Sequence, residues 1–238
     1  MIKILLYKLK QDLLSLGKYP VSKLSGDKVD YDQYWSKRRS GTQAVLSRWQ
    51  KHRADIILEM IGSGSSVMDL GCGDGAVLKY LREKGGIEGV GVDISDKVLA
   101  QAKEIGITAI KKDITDLNGL DDLPEVDYIL GLEIIEHMPN PEEFIFRIKE
   151  KSKNGMIFSF PNSGYYAHRL RLLFGRFPAQ WVSHPGEHLR FWTVRDVSWW
   201  TGAMDLKLEK LIVYEGLPFL NRIFPSVFGR WIIIKLSR

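Results

Sequence analysis

Two carboxylates flank a glycine-rich turn early in this chain: Val67-Met68-Asp69-Leu70-Gly71-Cys72-Gly73-Asp74-Gly75 is followed by Gly89-Val90-Gly91-Val92-Asp93. The first run reads as a strand, a tight turn and a helix start, and the second as a strand ending on an acid. The turn is Gly-x-Gly-x-Gly, whereas a dinucleotide pyrophosphate asks for Gly-x-Gly-x-x-Gly. Asp69, inside the strand end, would repel a pyrophosphate and attract a cation. Asp93 stands where a ribose diol needs an acceptor. The ligand that fits is a nucleoside with a cationic tail; glycines serving only a turn would leave both acids unexplained.

S-adenosylmethionine, with its ammonium, sulfonium and ribose diol, meets that description. From about residue 45 to 238 the chain resembles the class I methyltransferases, of which VMDLGCGDG is a specific signature. The resemblance implies that Asp69, Gly71, Cys72 and Gly73 lie near the methionine moiety, Asp93 and the adjoining Ile94 at the ribose, and Asp113 with Ile114 at the adenine. Glu133 lines the same pocket. Asp113-Ile114-Thr115-Asp116 could instead cap a following turn. Cys72 is read as a small packing residue within the turn rather than a nucleophile.

A second constellation is Glu133-Ile134-Ile135-Glu136-His137, joined downstream by His184 or His188. The run is common in methyltransferases resembling the ubiquinone-biosynthesis O-methyltransferases, and small-RNA 2′-O-methyltransferases carry it with a later His near an aromatic-Trp-Thr stretch like Phe191-Trp192-Thr193. Glu133, Glu136, His137 and His188 could bind a divalent ion that lowers the pKa of a substrate hydroxyl. Magnesium prefers oxygen ligands, which counts against it. The alternative is that Glu136 and His137 cap and orient the loop, and this is preferred because the run is common where no metal is implied. His137 is the candidate general base, ahead of His168 and His188.

The stretch from Ser159-Phe160-Pro161-Asn162 through Tyr165, Tyr166, Arg169-Leu170-Arg171 and Leu172-Leu173-Phe174-Gly175, then Trp181, Pro185, His188 and Thr193-Val194-Arg195-Asp196-Val197, resembles the MetW family of methionine-biosynthesis proteins. Residues of about 162–192 are the expected substrate lid, with Tyr165, Arg169, Trp181 and His188 as candidate substrate contacts and Arg171 and Arg176 as further cations for an anionic group. The insert after Arg176 is shorter than the family's, the N-terminal arm is additional, and Val197 replaces a Phe.

The elements that must hold these residues alternate as a doubly wound sheet requires. Strands are predicted at 66–70, 88–93, 109–112, 126–131 and 156–160. Helices follow at about 75–84, from an N-cap at Ser95 to Gly106, and from Asn140 as N-cap with Pro141 first and Glu142 and Glu143 on the dipole. Strands at 207–214 and 231–236 would close the sheet as an antiparallel hairpin. The fold class is thus α/β: a Rossmann-like seven-stranded methyltransferase sheet, mostly parallel, with helices on both faces.

With 238 residues, 45% of them hydrophobic, the chain can bury a full core. Its apolar runs fall short of a membrane span, no signal peptide is read at the N-terminus, and a single cysteine excludes an intrachain disulfide, so a cytoplasmic location is expected. Residues 1–53 hold twelve Lys or Arg against four Asp, a net +8 that leaves −3 for the rest. Within this arm, 1–45, Ile2, Leu5, Leu6, Leu9, Leu13 and Leu16 have helical spacing, with Lys3, Lys10, Gln11 and Asp12 among the polar positions. Such a helix can pack on its own domain (46–238) as a lid, lie peripherally on the inner membrane surface, or dock on a partner. No nucleic-acid motif accompanies the charge, which keeps nucleic acid a disfavoured partner.

These features point to an S-adenosylmethionine-dependent methyltransferase acting at O or N of a small-molecule or lipid-like acceptor. Two alternatives stand beside it. The MetW resemblance implies a cofactor-binding partner or activator of an acyltransferase with little methyl transfer of its own, and the acid-histidine run a metal-dependent RNA 2′-O-methyltransferase.

Overall fold

The computed structural model describes residues 2–16, 45–178, 180 and 187–237. Its strands are β1 (Ser66–Leu70), β2 (Glu88–Asp93), β3 (Thr108–Lys111), β4 (Val126–Leu132), β5 (Ser152–Pro161), β6 (Lys207–Tyr214) and β7 (Trp231–Ser237). They form one sheet in the order β3-β2-β1-β4-β5-β7-β6. β1 pairs in parallel with β2 and with β4, and β2 with β3, while the last two strands form the antiparallel hairpin. The order reverses at β1, which is where sheets of this kind open a ligand crevice at their carboxyl ends.

The helices are α1 (Ile2–Ser15), α2 (Arg48–Ile61), α3 (Ala76–Gly85), α4 (Asp96–Glu104), α5 (Pro141–Ile148), α6 (Tyr166–Leu173), α7 (Val194–Ala203) and the short α8 (Leu220–Ile223) and α9 (Pro225–Phe228). Local chemistry starts several of them. The Ser95 hydroxyl accepts the Val98 amide at the head of α4. Asp196 reaches back to the Thr193 amide at 2.8 Å at the head of α7. Asn140 occupies the N-cap position of α5, but its side chain makes no capping bond. Its φ of −126° and ψ of 70° lie outside the extended conformation from which a cap reaches the helix amides.

The chain divides into two compact units. One comprises the described residues of Gly26–Ile134 with Asn140–Phe158. Its core joins the continuous apolar runs of the parallel strands, Val67, Met68, Leu70, Ile129 and Leu130, to Ile56 and Ile57 of α2 and Leu78 and Leu81 of α3. The other holds α1, Ile135–Pro139 and the described residues of Ser159–Leu236. There Phe160, Trp192 and Trp200 pack ring against ring, with Phe160–Trp192 centroids 5.1 Å apart and Trp192–Trp200 4.7 Å. Asn162 is wholly buried; its amide donates to the Gly229 and Ser226 carbonyls and its oxygen accepts the Gly164 amide, tying the end of β5 to the turn before β7.

The N-terminal helix forms as its spacing predicts, but only Leu5, Leu9 and Leu16 of its apolar stripe turn inward. Asp12, assigned to the polar face, is the buried residue, while Ile2, Leu6 and Leu13 are exposed. The reason is long-range: the Asp12 carboxylate accepts the hydroxyls of Tyr165 (2.7 Å) and Tyr166 (2.9 Å), which turns that line of the helix inward.

Candidate active site

The turn after β1 is laid across the end of β2. The Gly71 and Cys72 amides both donate to the Val92 carbonyl, at 2.7 and 3.0 Å. Gly71 has a φ of +73°, and a Cβ there would stand 2.2 Å from Ile134 Cδ1, so the position admits glycine for two reasons. The Gly73 amide donates to Asp93 Oδ2 (2.9 Å) and the Ser95 amide to Oδ1 (3.0 Å), fixing that carboxylate at the tip of β2. Cys72 is buried, and its Sγ fills the space above Gly91, where a Cβ would come within 2.5 Å of it. Burial, with Asp69 and Asp93 nearby, pushes its thiol far above the nucleophilic range.

Asp69 is 2% exposed at the end of β1, and its Oδ1 has no hydrogen-bond partner. Burial raises its pKa to about 7, against the pull of Arg53 and with the push of Asp93. A buried carboxylate oxygen without a donor is a place for a cationic group, which fits the charged end of S-adenosylmethionine. Arg53, on α2, escapes the sequence reading. It is 4% exposed, lies over the Trp49 ring at 5.0 Å, and brings Nη1 to 3.4 Å from Glu133 Oε1. The legible signal is its spacing: Arg53, Ile57 and Met60 fall on one buried helical face, and a cation on an apolar stripe needs an acid to meet.

Glu133 has a φ of 60°, a left-handed backbone rare for a residue with a side chain. Such strain concentrates at binding sites. Ile94 is exposed and Ile114 half-buried; Asp113 is exposed, with Oδ1 accepting the Thr115 amide (2.9 Å) and hydroxyl (2.6 Å) in an Asx turn.

Glu136, His137 and His188 come together in the other unit. The Glu136 carbonyl accepts the Leu189 and Arg190 amides, at 2.7 and 3.2 Å, which lays residues 187–190 on the 3-10 turn Ile135–His137. His137 Nδ1 lies 2.6 Å from the Glu187 carbonyl, and the two imidazoles meet edge to face with centroids 4.7 Å apart. Burial holds both below the usual histidine pKa, His188 at about 4. One ligand atom from each of the three residues lies within 4.8 Å of the others. One carboxylate and two imidazoles suit a first-row transition ion and not magnesium. Glu133 is not one of this group; its carboxylate meets Arg53 instead.

Among the candidate substrate contacts, Tyr165 is 1% exposed and committed to Asp12. Arg169 is exposed, with Nε donating to the Gly164 carbonyl at 2.5 Å. Arg171 is buried and donates to the Ser15 and Leu16 carbonyls at the end of α1, so this cation serves the fold. Trp181, His184 and Pro185 lie outside the described residues.

A family model described as methionine biosynthesis protein MetW matches residues 51–234, most of the chain. The chain belongs to the MetW family. Among its relatives, the bifunctional methionine biosynthesis protein MetXA/MetW of Rhodopirellula baltica is 27% identical over 181 residues, 68% of this chain. This MetW-family chain spans only 28% of that protein's length. A ubiquinone biosynthesis O-methyltransferase of Pseudomonas fluorescens is 31% identical over 196 residues, covering 77% of this chain and 84% of the relative. The fold matches that of a SAM dependent methyltransferase from Archaeoglobus fulgidus with a TM-score of 0.61 at 18% identity, over 87% of this chain and 100% of the other. This MetW-family protein has the fold of the class I S-adenosylmethionine-dependent methyltransferases.

Proposed function

We propose that this methyltransferase alkylates a hydroxyl or amine of a small-molecule or lipid-like acceptor, with His137 as general base. The observation that carries the reading is the bond from His137 Nδ1 to the Glu187 carbonyl. A carbonyl only accepts, so Nδ1 bears the proton and Nε2 keeps its lone pair. With its pKa held below 6.5 by burial, the imidazole is neutral near pH 7 and ready to take a proton. The likeness to proteins named ubiquinone biosynthesis O-methyltransferase supports an oxygen acceptor with a lipid-like tail.

S-adenosylmethionine supplies a methyl group already activated on a sulfonium. Asp69 balances the cationic end, Asp93 takes the ribose diol, Glu133 with Arg53 borders the pocket, and Asp113 with Ile114 meets the adenine. Positioning then provides most of the acceleration. The segment 162–192, with Arg169 its exposed cation, is assigned to the acceptor.

The test is calorimetric titration of S-adenosylmethionine and S-adenosylhomocysteine into the wild type and Asp93→Ala, followed by an acceptor screen with the wild type and His137→Asn. Binding lost in Asp93→Ala, with turnover lost but binding kept in His137→Asn, is expected. No binding by the wild type overturns the cofactor assignment. Turnover abolished by a chelator and restored by Mn²⁺ would replace the base with a metal centre at Glu136, His137 and His188, the arrangement an RNA 2′-O-methyltransferase would use.

A second reading, an activator of an acyltransferase, is favoured by the relative named as bifunctional MetXA/MetW. Copurification with an acyltransferase whose activity rises on addition of this chain, without consumption of S-adenosylmethionine, would select it.

A further inference from the structure

The helix α1 is held to its unit by polar contacts. Besides the two tyrosine hydroxyls on Asp12, Lys8 donates to the Glu215 carboxylate (3.0 Å) and the Gly216 carbonyl (2.9 Å), and Arg171 grips the last carbonyls. The inward line is Leu5, Lys8, Leu9, Asp12 and Leu16, the helical repeat of one face. Most of the helix's apolar side chains are therefore left outside. Ile2, Leu6 and Leu13, spaced four and seven apart on one stripe, are 72%, 59% and 57% exposed.

Exposed apolar side chains also follow both places where α1 is tied down. Arg171, at the end of the helix, is followed by Leu172, Leu173 and Phe174, all exposed. Glu215 and Gly216, at its middle, lead to Phe219, Ile223 and Phe224, also exposed. The fixed charges that face outward on these stretches are cationic: Lys3 and Lys10 on α1 and Arg222 among the phenylalanines. The single acid of α1 is buried, and Glu215 is engaged by Lys8.

We infer that this surface binds an anionic membrane leaflet, with α1 lying in the plane of the interface. An amphipathic helix with apolar residues outward and lysines beside them lodges at the headgroup–acyl boundary, where anionic lipids add attraction for each cation. A protein partner would need a groove shaped to a convex helix and to two further exposed apolar segments, whereas lipid conforms to all three. The contact is peripheral, since no helix among the described residues is long and apolar enough to cross a membrane. The inference goes beyond the methyl-transfer reading and does not depend on which acceptor is used.

The test is co-sedimentation of the full chain with vesicles of phosphatidylcholine alone and of an equal mixture of phosphatidylcholine and phosphatidylglycerol. The variants are Leu6→Asp/Leu13→Asp and Lys3→Glu/Lys10→Glu. Retained S-adenosylmethionine binding and an unchanged circular dichroism spectrum control for folding, and light scattering reports the oligomeric state. Binding to the mixed vesicles that falls about tenfold or more in each variant, and falls with salt, is expected. Failure of the wild type to sediment with mixed vesicles at low salt overturns the inference, as does binding that both variants preserve. A dimer that Leu6→Asp/Leu13→Asp dissolves, without lipid binding, assigns the surface to a second copy of the chain and overturns it equally.

Discussion

The carboxylate of Asp12 accepts the hydroxyl of Tyr165 at 2.7 Å, joining two residues 153 positions apart. Tyr166 adds a second hydroxyl, and the Arg230 guanidinium stands 3.5 Å from the same carboxylate. Asp12→Ala would leave the phenol hydroxyls without their acceptor and Arg230 without its counter-charge. A loss of about 1–3 kcal/mol is expected, with release of α1. Urea denaturation gives the loss, and limited proteolysis within residues 2–16 reports the release. Asp12→Asn, which keeps an acceptor oxygen, should lose less.

With the cationic end of S-adenosylmethionine placed at Asp69 as proposed, cofactor affinity should depend on pH. The folded pKa of Asp69 near 7 means that part of the population must lose a proton before the carboxylate can balance a cation. S-adenosylmethionine binding should therefore tighten as pH rises through 7 and release protons at pH 6 to 7. Calorimetry in buffers of different ionisation enthalpy measures that release. In Asp69→Asn affinity should be weaker throughout and the proton release absent.

Gly71→Ala should damage the turn in two ways. The added Cβ meets Ile134 Cδ1 at 2.2 Å, and a φ of +73° costs an L-residue roughly 1–2 kcal/mol. Thermal unfolding should fall accordingly, and cofactor binding with it. Adding Ile134→Val removes the colliding methyl, so the double variant should regain the steric share and keep the backbone share. Equal stability of single and double variants would rule out the collision.

Acid should weaken the fold through buried histidine. His168 is held at about 4 by burial and by the Arg230 and Arg171 guanidiniums, against an ordinary 6.5. Between those values the unfolded chain binds a proton that the folded chain refuses, so stability is full above about 6.5 and declines as pH falls to about 4. Asp69 works in the opposite direction, because its raised pKa favours the folded state as pH drops below 7. The comparison of His168→Asn with wild type isolates the histidine: the variant's Tm should fall less between pH 6.5 and 4.

The strands, their order of appearance and the acids at β1 and β2 were legible in the chain because they rest on local rules. Apolar runs of strand length, glycines where a turn must cross β2, Ser95 before a helix and Thr193 three residues before Asp196 each state their structure within a few positions. The signature around Asp69 and Asp93 likewise pointed to a nucleoside ligand with a cationic tail from residue types and spacing alone. Other features depend on residues far apart in sequence. The burial of Asp12 was decided by tyrosines 153 and 154 positions away, which leaves Ile2, Leu6 and Leu13 of the apolar stripe outside. The Arg53–Glu133 pair spans 80 positions, and the approach of His188 to His137 depends on amides at 189 and 190 finding the Glu136 carbonyl. Periodicity tells which residues share a face; only tertiary contact decides what that face meets, because a buried polar group goes where its partner is.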